Sequence, residues 1–393
     1  MKIALLQDEI YLPSLAGGIK GNRGLLEGLA HAGHSCLALT RALTSSPDGP
    51  NNLQQFDSEM KSRQISIRAS EPGVFAYRYQ NVDVEAIDLA NDDARQVYLV
   101  ERIQSYRPDW VLVADDKRRF MLASAMRARP GRVVPLIQTI MQLPFGPLSV
   151  DRSESQTRLM REVGAIVVIS RFVQDYIRIH AGLESHVLRL PVYGNGPFPI
   201  LGRFDEGCIT LINPCALKGL AIFLALAQAC PQFEFAAVPT WGATDLAIEQ
   251  LKRQPNVRIL DAVDDIELIL NSTRVLLVPS LWPETFGYVV PEAMLRGIPV
   301  LASDLGGLPE AKLEVEYLLP VTAAVRRGCD YVCPPQDIRP WHETLLELLG
   351  DSDVYWEISR KSRQAALQFV ATTDVCHFES FLNGIETSLG LGP

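Results

Sequence analysis

Two glutamates, Glu284 and Glu292, bracket Thr285-Phe286-Gly287-Tyr288-Val289-Val290-Pro291 in a segment that follows the apolar run Val275–Val278 and closes at Gly297. Strand, loop and short helix in that order make the corner at the carboxyl edge of a parallel sheet where ligands bind. The first amides of a helix lack partners and point toward an anion. A diphosphate suits such a place, and carboxylates on either side of the turn accept hydrogen bonds from hydroxyls on different parts of one long ligand. Taken as two arbitrary glutamates, the pair favours a plainer reading, with Glu292 complementing the helix dipole and Glu284 solvated in a loop.

The surrounding residues overturn the plainer reading. The segment resembles the E-x7-E signature of family 4 retaining glycosyltransferases of the GT-B fold, with Phe286-Gly287 between the glutamates. The resemblance continues through Gly297-Ile298-Pro299-Val300-Leu301-Ala302-Ser303 and Gly306-Gly307-Leu308-Pro309-Glu310, and back to Asn213-Pro214 and Lys218-Gly219. In the first half it rests on Gly17-Gly18 and the rhythm of elements. It implies that Glu284 binds donor-sugar hydroxyls, that the backbone of Phe286, Gly287, Tyr288 and Val289 lines the sugar and diphosphate, and that Glu292 binds the ribose. Lys218 would offset the diphosphate charge, and Gly18, after Gly17, would let the backbone approach the same group without a side-chain clash.

Two positions depart from the family pattern. Many members carry an Arg where this chain has Asn213, so a hydrogen-bond donor replaces a cation and the leaving group depends more on Lys218 and the helix amides. The family often places a His after a middle strand of the first half, whereas here Trp110-Val111-Leu112-Val113-Ala114 runs into Asp115-Asp116. Either aspartate is a candidate to orient or deprotonate the acceptor hydroxyl, and either is equally a capping residue beside Lys117-Arg118-Arg119. Gln138 or Thr139, after the next strand, is a candidate to orient the acceptor. Phe145, in Gln142-Leu143-Pro144-Phe145-Gly146-Pro147, offers an apolar wall. Gly18, Gly21 and Gly24 do not make G-x-G-x-x-G, and Thr40-Arg41 stands where a dinucleotide site needs an acid.

These residues need a scaffold, and the hydrophobic pattern supplies one. Ile3–Leu6, Leu25, Leu26 and Leu29 before Gly33, and Cys36–Leu39 read as a βαβ unit. Arg41 to Asn91 blurs into turn-rich sequence, with Ser45-Ser46-Pro47-Asp48-Gly49-Pro50 its clearest loop. A helix near Val97–Tyr106 follows, then strands at Trp110–Val113, Val133–Ile137 and Ala165–Ile169, with Ser170 able to cap the next helix. Breakers from Pro191 to Gly202 mark a boundary. The alternation then resumes at Ile209–Ile212, a helix near Gly219–Ala229, Phe233–Val238, Val257–Leu260, Val275–Val278 and Pro299–Ala302. The stretch from Trp341 to Leu382 reads as two helices. The fold class is therefore α/β, with two Rossmann-like doubly wound domains facing across a cleft. The resemblance implies that residues 1–192 form an acceptor domain and 193–371 a nucleotide-sugar donor domain, with a terminal helix at about 372–393 expected to return to the first.

Composition narrows the rest. At 393 residues with 47% hydrophobic and 21% charged side chains, the chain fills two ordinary cores. Residues 1–190 carry 23 Lys+Arg against 21 Asp+Glu, and the remainder 14 against 25, so there is no basic stripe for a nucleic acid. Seven cysteines at irregular spacing argue against a disulfide framework and for a cytoplasmic setting without a structural metal. No apolar run approaches the length of a membrane span.

The resemblance thus implies a hexosyltransferase that uses a nucleoside-diphosphate sugar as co-substrate, retains configuration and acts on a small hydroxyl acceptor, a natural product or glycan. No cofactor or metal is expected, because Lys218 and the helix amides stand where a cation would. A carbohydrate-binding module of the same fold and a nucleotide-sugar epimerase are the alternatives. A pyridoxal-dependent phosphorylase needs a Schiff-base lysine motif, which is absent.

Overall fold

A computed structural model describes every residue except 15, 45–48, 115, 195, 329 and 389–393. The chain divides into two compact units, Met1–Gly194 with Thr373–Pro393, and Asn195–Thr372.

In the first unit the chain runs β1 (Lys2–Ile10), α1 (Gly17–His31), β2 (Ser35–Arg41), α2 (Leu53–Ser62), β3 (Arg68–Glu71), β4 (Val74–Tyr79) and β5 (Val82–Ile87). It continues through α3 (Asp92–Tyr106), β6 (Trp110–Ala114), α4 (Met121–Ala128), β7 (Val133–Ile137), α5 (Glu154–Arg161), β8 (Val167–Val168), α6 (Arg171–Ala181) and β9 (His186–Val187). The sheet order is β3-β4-β5-β2-β1-β6-β7-β8-β9. All pairings from β5 to β9 are parallel, while β4 is antiparallel to both β3 and β5. The central strands β1 and β6 are buried along almost their whole length, which is why they read as continuous apolar runs.

The region from Arg41 to Asn91 corrects the expectation of a long irregular connection. It holds α2, capped by Asn52, and the β4–β5 hairpin, whose turn residues Gln80 and Asn81 both adopt positive φ. That is the turn geometry matching strand twist, usually signalled by Asn-Gly, and the Gln-Asn pair hides it. Ser170 does cap α6, accepting the Val173 amide at 3.2 Å.

The second unit contains β10 (Cys208–Ile212), a 3-10 turn at Ala216–Lys218, α7 (Leu220–Ala229), β11 (Phe235–Val238), α8 (Asp245–Lys252), β12 (Val257–Ile259), α9 (Ile266–Leu270) and β13 (Thr273–Val278). Then come α10 (Val289–Leu295), β14 (Val300–Ser303), α11 (Leu308–Ala311), β15 (Leu318–Leu319), the hairpin β16 (Val325–Arg327) and β17 (Asp330–Val332), α12 (Arg339–Gly350) and α13 (Ser352–Val370). Its parallel sheet has the order β12-β11-β10-β13-β14-β15. This is the doubly wound arrangement with its switch point between β10 and β13, the crevice where such folds take ligands.

The C-terminal stretch forms three helices where two were expected, because Asp351 both ends α12 and caps α13 through the Asp353 and Val354 amides. The last, α14 (Val375–Ser388), lies in the first unit, with Leu382 fully buried, Arg132 paired to Glu386 at 2.7 Å and His186 against Phe381. Among the described residues no helix is long and apolar enough to cross a membrane.

One core residue makes stability depend on pH. Lys312 is fully buried, donates to the Val300 carbonyl at 2.7 Å, and has its pKa pushed down to about 7 by desolvation. Below about pH 7 the ammonium is charged in both folded and unfolded chains and the whole burial penalty is present. As pH rises toward the unfolded value the unfolded chain binds more protons, so stability climbs. Lys312→Met is expected to flatten this climb and to stabilise the protein at pH 6, by an amount on the order of 4 kcal/mol before the lost hydrogen bond is subtracted. Denaturant midpoints between pH 6 and 9 read this directly, and parallel slopes for the two proteins would contradict it.

Candidate functional site

The carboxyl ends of β10 and β13 bring Lys218 and Glu284 together. The Lys218 Nζ lies 2.5 Å from Glu284 Oε1, with the side chains 24% and 14% exposed. The Ser280 hydroxyl donates to the same oxygen at 2.6 Å, and Ser303 Oγ in turn donates to the Ser280 carbonyl at 2.7 Å. Glu284 Oε2 accepts no bond among the described residues, so one carboxylate oxygen is anchored and the other is available to a ligand hydroxyl. Lys218 commits one of its three N–H donors to this pair and keeps a charge that an anion can share.

Backbone contacts fix the turn that carries Glu284. Gly307 N donates to the Glu284 carbonyl at 2.6 Å, and a Cβ at Gly306 would sit 2.7 Å from both the amide nitrogen and the carbonyl oxygen of Glu284. Gly306 also has φ of +65°, so this approach demands glycine for both space and conformation. On the other side, Leu281 N and Trp282 N both donate to the Leu217 carbonyl, tying the Glu284 turn to the residue before Lys218. The two ionic groups therefore sit on mutually braced loops.

No side chain caps α10, whose first turn follows Gly287 and Tyr288. Phe286 is fully buried against Phe369, with ring centroids 5.6 Å apart, so its side chain serves the core. Val289 opens α10, and Glu292 stands within it, 6% exposed, its carbonyl accepting from Arg296 Nη1 at 2.8 Å. Asn213 adopts a φ of +62°, a conformation Asn tolerates, and is 5% exposed. Its Oδ1 accepts from Gly242 N at 3.0 Å, while its Nδ2 is buried without a partner. An unsatisfied buried donor beside a lysine is costly in isolation and matches a ligand acceptor.

In the first unit Gly17 and Gly18 open α1, which has no side-chain cap. Gln138 Nε2 donates to the Gly18 carbonyl at 3.3 Å and to Asn22 Oδ1 at 2.5 Å, and Asn22 donates on to Gln7 at 2.8 Å. Gln138 thus braces the glycine turn through a chain of amides, a partnership that neither the strand residue Gln7 nor the helix residue Asn22 announces. Both carboxylate oxygens of Asp116 accept amides, from Met121 and Leu122 at 3.0 Å, and burial raises its pKa. The capping alternative therefore describes its geometry. Asp115 lies outside the described residues.

A cavity of about 70 Å³ opens at the carboxyl ends of β6 and β7. Thr139, Gln142, Gln138 and Arg119 give it polar edges, and Leu122 and Met160 are among its apolar walls. Phe145 is not part of this wall. It is 6% exposed, and its carbonyl accepts from the Tyr176 hydroxyl at 3.4 Å, a bond that holds the loop down instead.

Comparison with known proteins bears on the unit that holds Lys218 and Glu284. Residues 214–351 match the family model described as Glycosyl transferases group 1. The chain is 33% identical over 130 residues to a phosphatidyl-myo-inositol mannosyltransferase of Mycobacterium leprae, covering 30% of this chain and 32% of that one. It is 32% identical over 127 residues to a D-inositol 3-phosphate glycosyltransferase of Corynebacterium efficiens, covering 32% and 27%. An uncharacterized 42.6 kDa protein in the cps region of Klebsiella pneumoniae is 28% identical over 164 residues, covering 40% and 43%. The matched segments span less than half the length of these relatives.

Among solved structures, sucrose-phosphate synthase from Thermosynechococcus elongatus is similar over 98% of this chain and 99% of its own, at 17% identity and a TM-score of 0.69. HepE from Anabaena, solved with UDP-glucose, is similar over 99% and 100% at the same identity and TM-score. The fold is GT-B, with an α/β sheet in each unit.

Proposed function

We propose that the chain is a retaining glycosyltransferase with the E-x7-E signature of family 4, transferring a hexose from a nucleoside-diphosphate sugar to a small hydroxyl acceptor. The observation that carries this reading is the Lys218–Glu284–Ser280 cluster at the switch point of the second sheet, an anchored carboxylate beside a cation. The group 1 match over the same unit supports it, as do relatives named for sugar transfer.

The second unit holds the donor. Glu284 Oε2 accepts a sugar hydroxyl, Glu292 the ribose hydroxyls, and the backbone of Phe286, Gly287, Tyr288 and Val289 lines the sugar and diphosphate. Lys218 and Asn213 Nδ2 stabilise the negative charge that builds on the departing diphosphate, which then takes the proton of the acceptor hydroxyl. This front-side course needs no enzyme nucleophile, retains the anomeric configuration and requires no divalent metal. In the first unit the glycine turn at Gly17-Gly18 is braced by Gln138. The cavity edged by Thr139 and Gln142 takes the acceptor, and a cytoplasmic setting fits these substrates.

The test is a panel of nucleotide-sugars with nucleoside diphosphate release as the readout, with and without hydroxyl acceptors and with and without EDTA. Release with at least one donor, unchanged by the chelator, is the expected result. Nucleotide binding without release from any donor would favour a binding module, and activity abolished by EDTA and restored by a divalent metal would remove the metal-independent mechanism.

A further inference from the structure

Of the five tryptophans, Trp110 and Trp341 are fully buried and Trp282 is only 7% exposed, whereas Trp356, on α13, and Trp241 are 46% and 55% exposed. Its position is fixed by its neighbours. It follows β11 in a tight turn closed by Ala243 N donating to the Thr240 carbonyl at 2.9 Å, and Gly242 N donates to Asn213 Oδ1 at 3.0 Å. A Cβ at residue 242 would lie 2.7 Å from that same oxygen and 3.1 Å from Cys215 Sγ, so a side chain there would have to displace both of these side-chain ends on the loop that leads to Lys218. The result is a large apolar ring held out to solvent on a turn tied to Asn213, whose buried amide nitrogen has no partner and whose loop leads on to Lys218.

The sheet order turns this into a direction. The carboxyl ends of β13, β10 and β11 stand side by side and carry Glu284, then Asn213 with Lys218, then Trp241. Neighbouring strands are about 4.8 Å apart, so the Trp241 turn lies on the order of 10 Å from the Glu284 turn. That is the scale of the span from a sugar across a diphosphate toward a base. A ligand with its sugar on Glu284, its diphosphate on Lys218 and its ribose on Glu292 has only its base left to place, and the β11 turn is within that reach.

We infer that Trp241 is the stacking platform for the nucleobase of the donor, and so a specificity-determining residue. The inference rests on the proposed glycosyltransferase reading and adds the element that distinguishes a nucleoside-diphosphate sugar from a bare sugar phosphate. An aromatic face accepts any base by stacking, so Trp241 supplies affinity for the nucleoside while selection among bases falls to groups at the ring edge. Asn213 Nδ2, next to this turn, marks where the diphosphate ends and the nucleoside begins.

Calorimetric titration of the full chain with UDP, GDP and ADP, and with inorganic pyrophosphate as a probe without a base, tests this on the unmodified protein, Trp241→Ala and Trp241→Phe. Because the side chain is more than half exposed, both variants are expected to fold, which circular dichroism verifies. The expected result is nucleoside diphosphate affinity lowered about tenfold by Trp241→Ala and largely regained in Trp241→Phe, with pyrophosphate binding the same in all three. Equal nucleotide affinity in Trp241→Ala would overturn the stacking role while leaving the glycosyltransferase reading intact. An equal loss for pyrophosphate would also overturn it, by placing the effect in the loop instead of the base. Failure of the unmodified protein to bind any nucleoside diphosphate would overturn both.

Discussion

Lys218→Ala is expected to lower kcat for sugar transfer by roughly 10²- to 10³-fold, equivalent to about 3–4 kcal/mol of transition-state stabilisation, as for loss of one preorganised donor at a developing oxyanion. The size follows from how few cations the site has. Asn213 contributes hydrogen bonds but no charge, so Lys218 carries the electrostatic load that a Lys and Arg together would share. The charge on the diphosphate grows as the glycosidic bond breaks, so the loss falls on kcat more than on KM. Nucleoside diphosphate affinity also declines, because the product carries the same charge. Lys218→Arg restores the cation on a bulkier, planar head and recovers part of the rate. Steady-state kinetics of nucleotide release measures all three proteins, and a Lys218→Ala enzyme within about threefold of the parent would remove Lys218 from the mechanism.

Glu284→Gln has a different signature. The amide keeps the size and the Ser280 contact but loses the charge that holds Lys218 at 2.5 Å. Transfer is expected to fall about 10²-fold, because the sugar loses its anchored acceptor and hence its alignment. Nucleoside diphosphate binding stays equal or tightens, since Lys218 is released toward the phosphates. Opposite effects of the two substitutions on product affinity, with similar effects on turnover, are what an ion pair shared between sugar and diphosphate predicts. The double variant is expected to be less impaired than the sum of the singles, because the partners touch. A Glu284→Gln protein that turns over normally would mean the donor sugar binds elsewhere.

How much of this could be read from the chain depends on which residues speak locally. Continuous apolar runs such as Val133–Ile137 announce buried parallel strands, and Ser170 announces a cap, because both signals are short-range. The glutamates, Lys218 and the glycines at 306 and 307 were visible as a motif. What the motif does not reveal is why the glycines are needed: Gly306 presses on the backbone of Glu284 and Gly307 on that of Thr285 and Phe286, contacts made only once β13 and β14 lie side by side. Ser280 passed unnoticed because a hydroxyl in a loop carries no pattern, and its role depends on Glu284 folding back toward it. Asp116 carries its ambiguity from sequence into structure, for it caps two amides of α4 and also lines the cavity beside Gln138 and Thr139. The hairpin at β4–β5 is not legible in the chain because Gln80-Asn81 is an uncommon pair for a turn with both φ values positive. The exposure of Trp241 has no local signal, since exposure is a tertiary property.

The most direct test of the donor assignment is a crystal structure of the protein soaked with the nucleotide-sugar that supports transfer. The account predicts the sugar hydroxyls on Glu284 Oε2 and the diphosphate within hydrogen-bonding distance of the Lys218 ammonium. A donor bound away from the Ser280–Glu292 turn would contradict it.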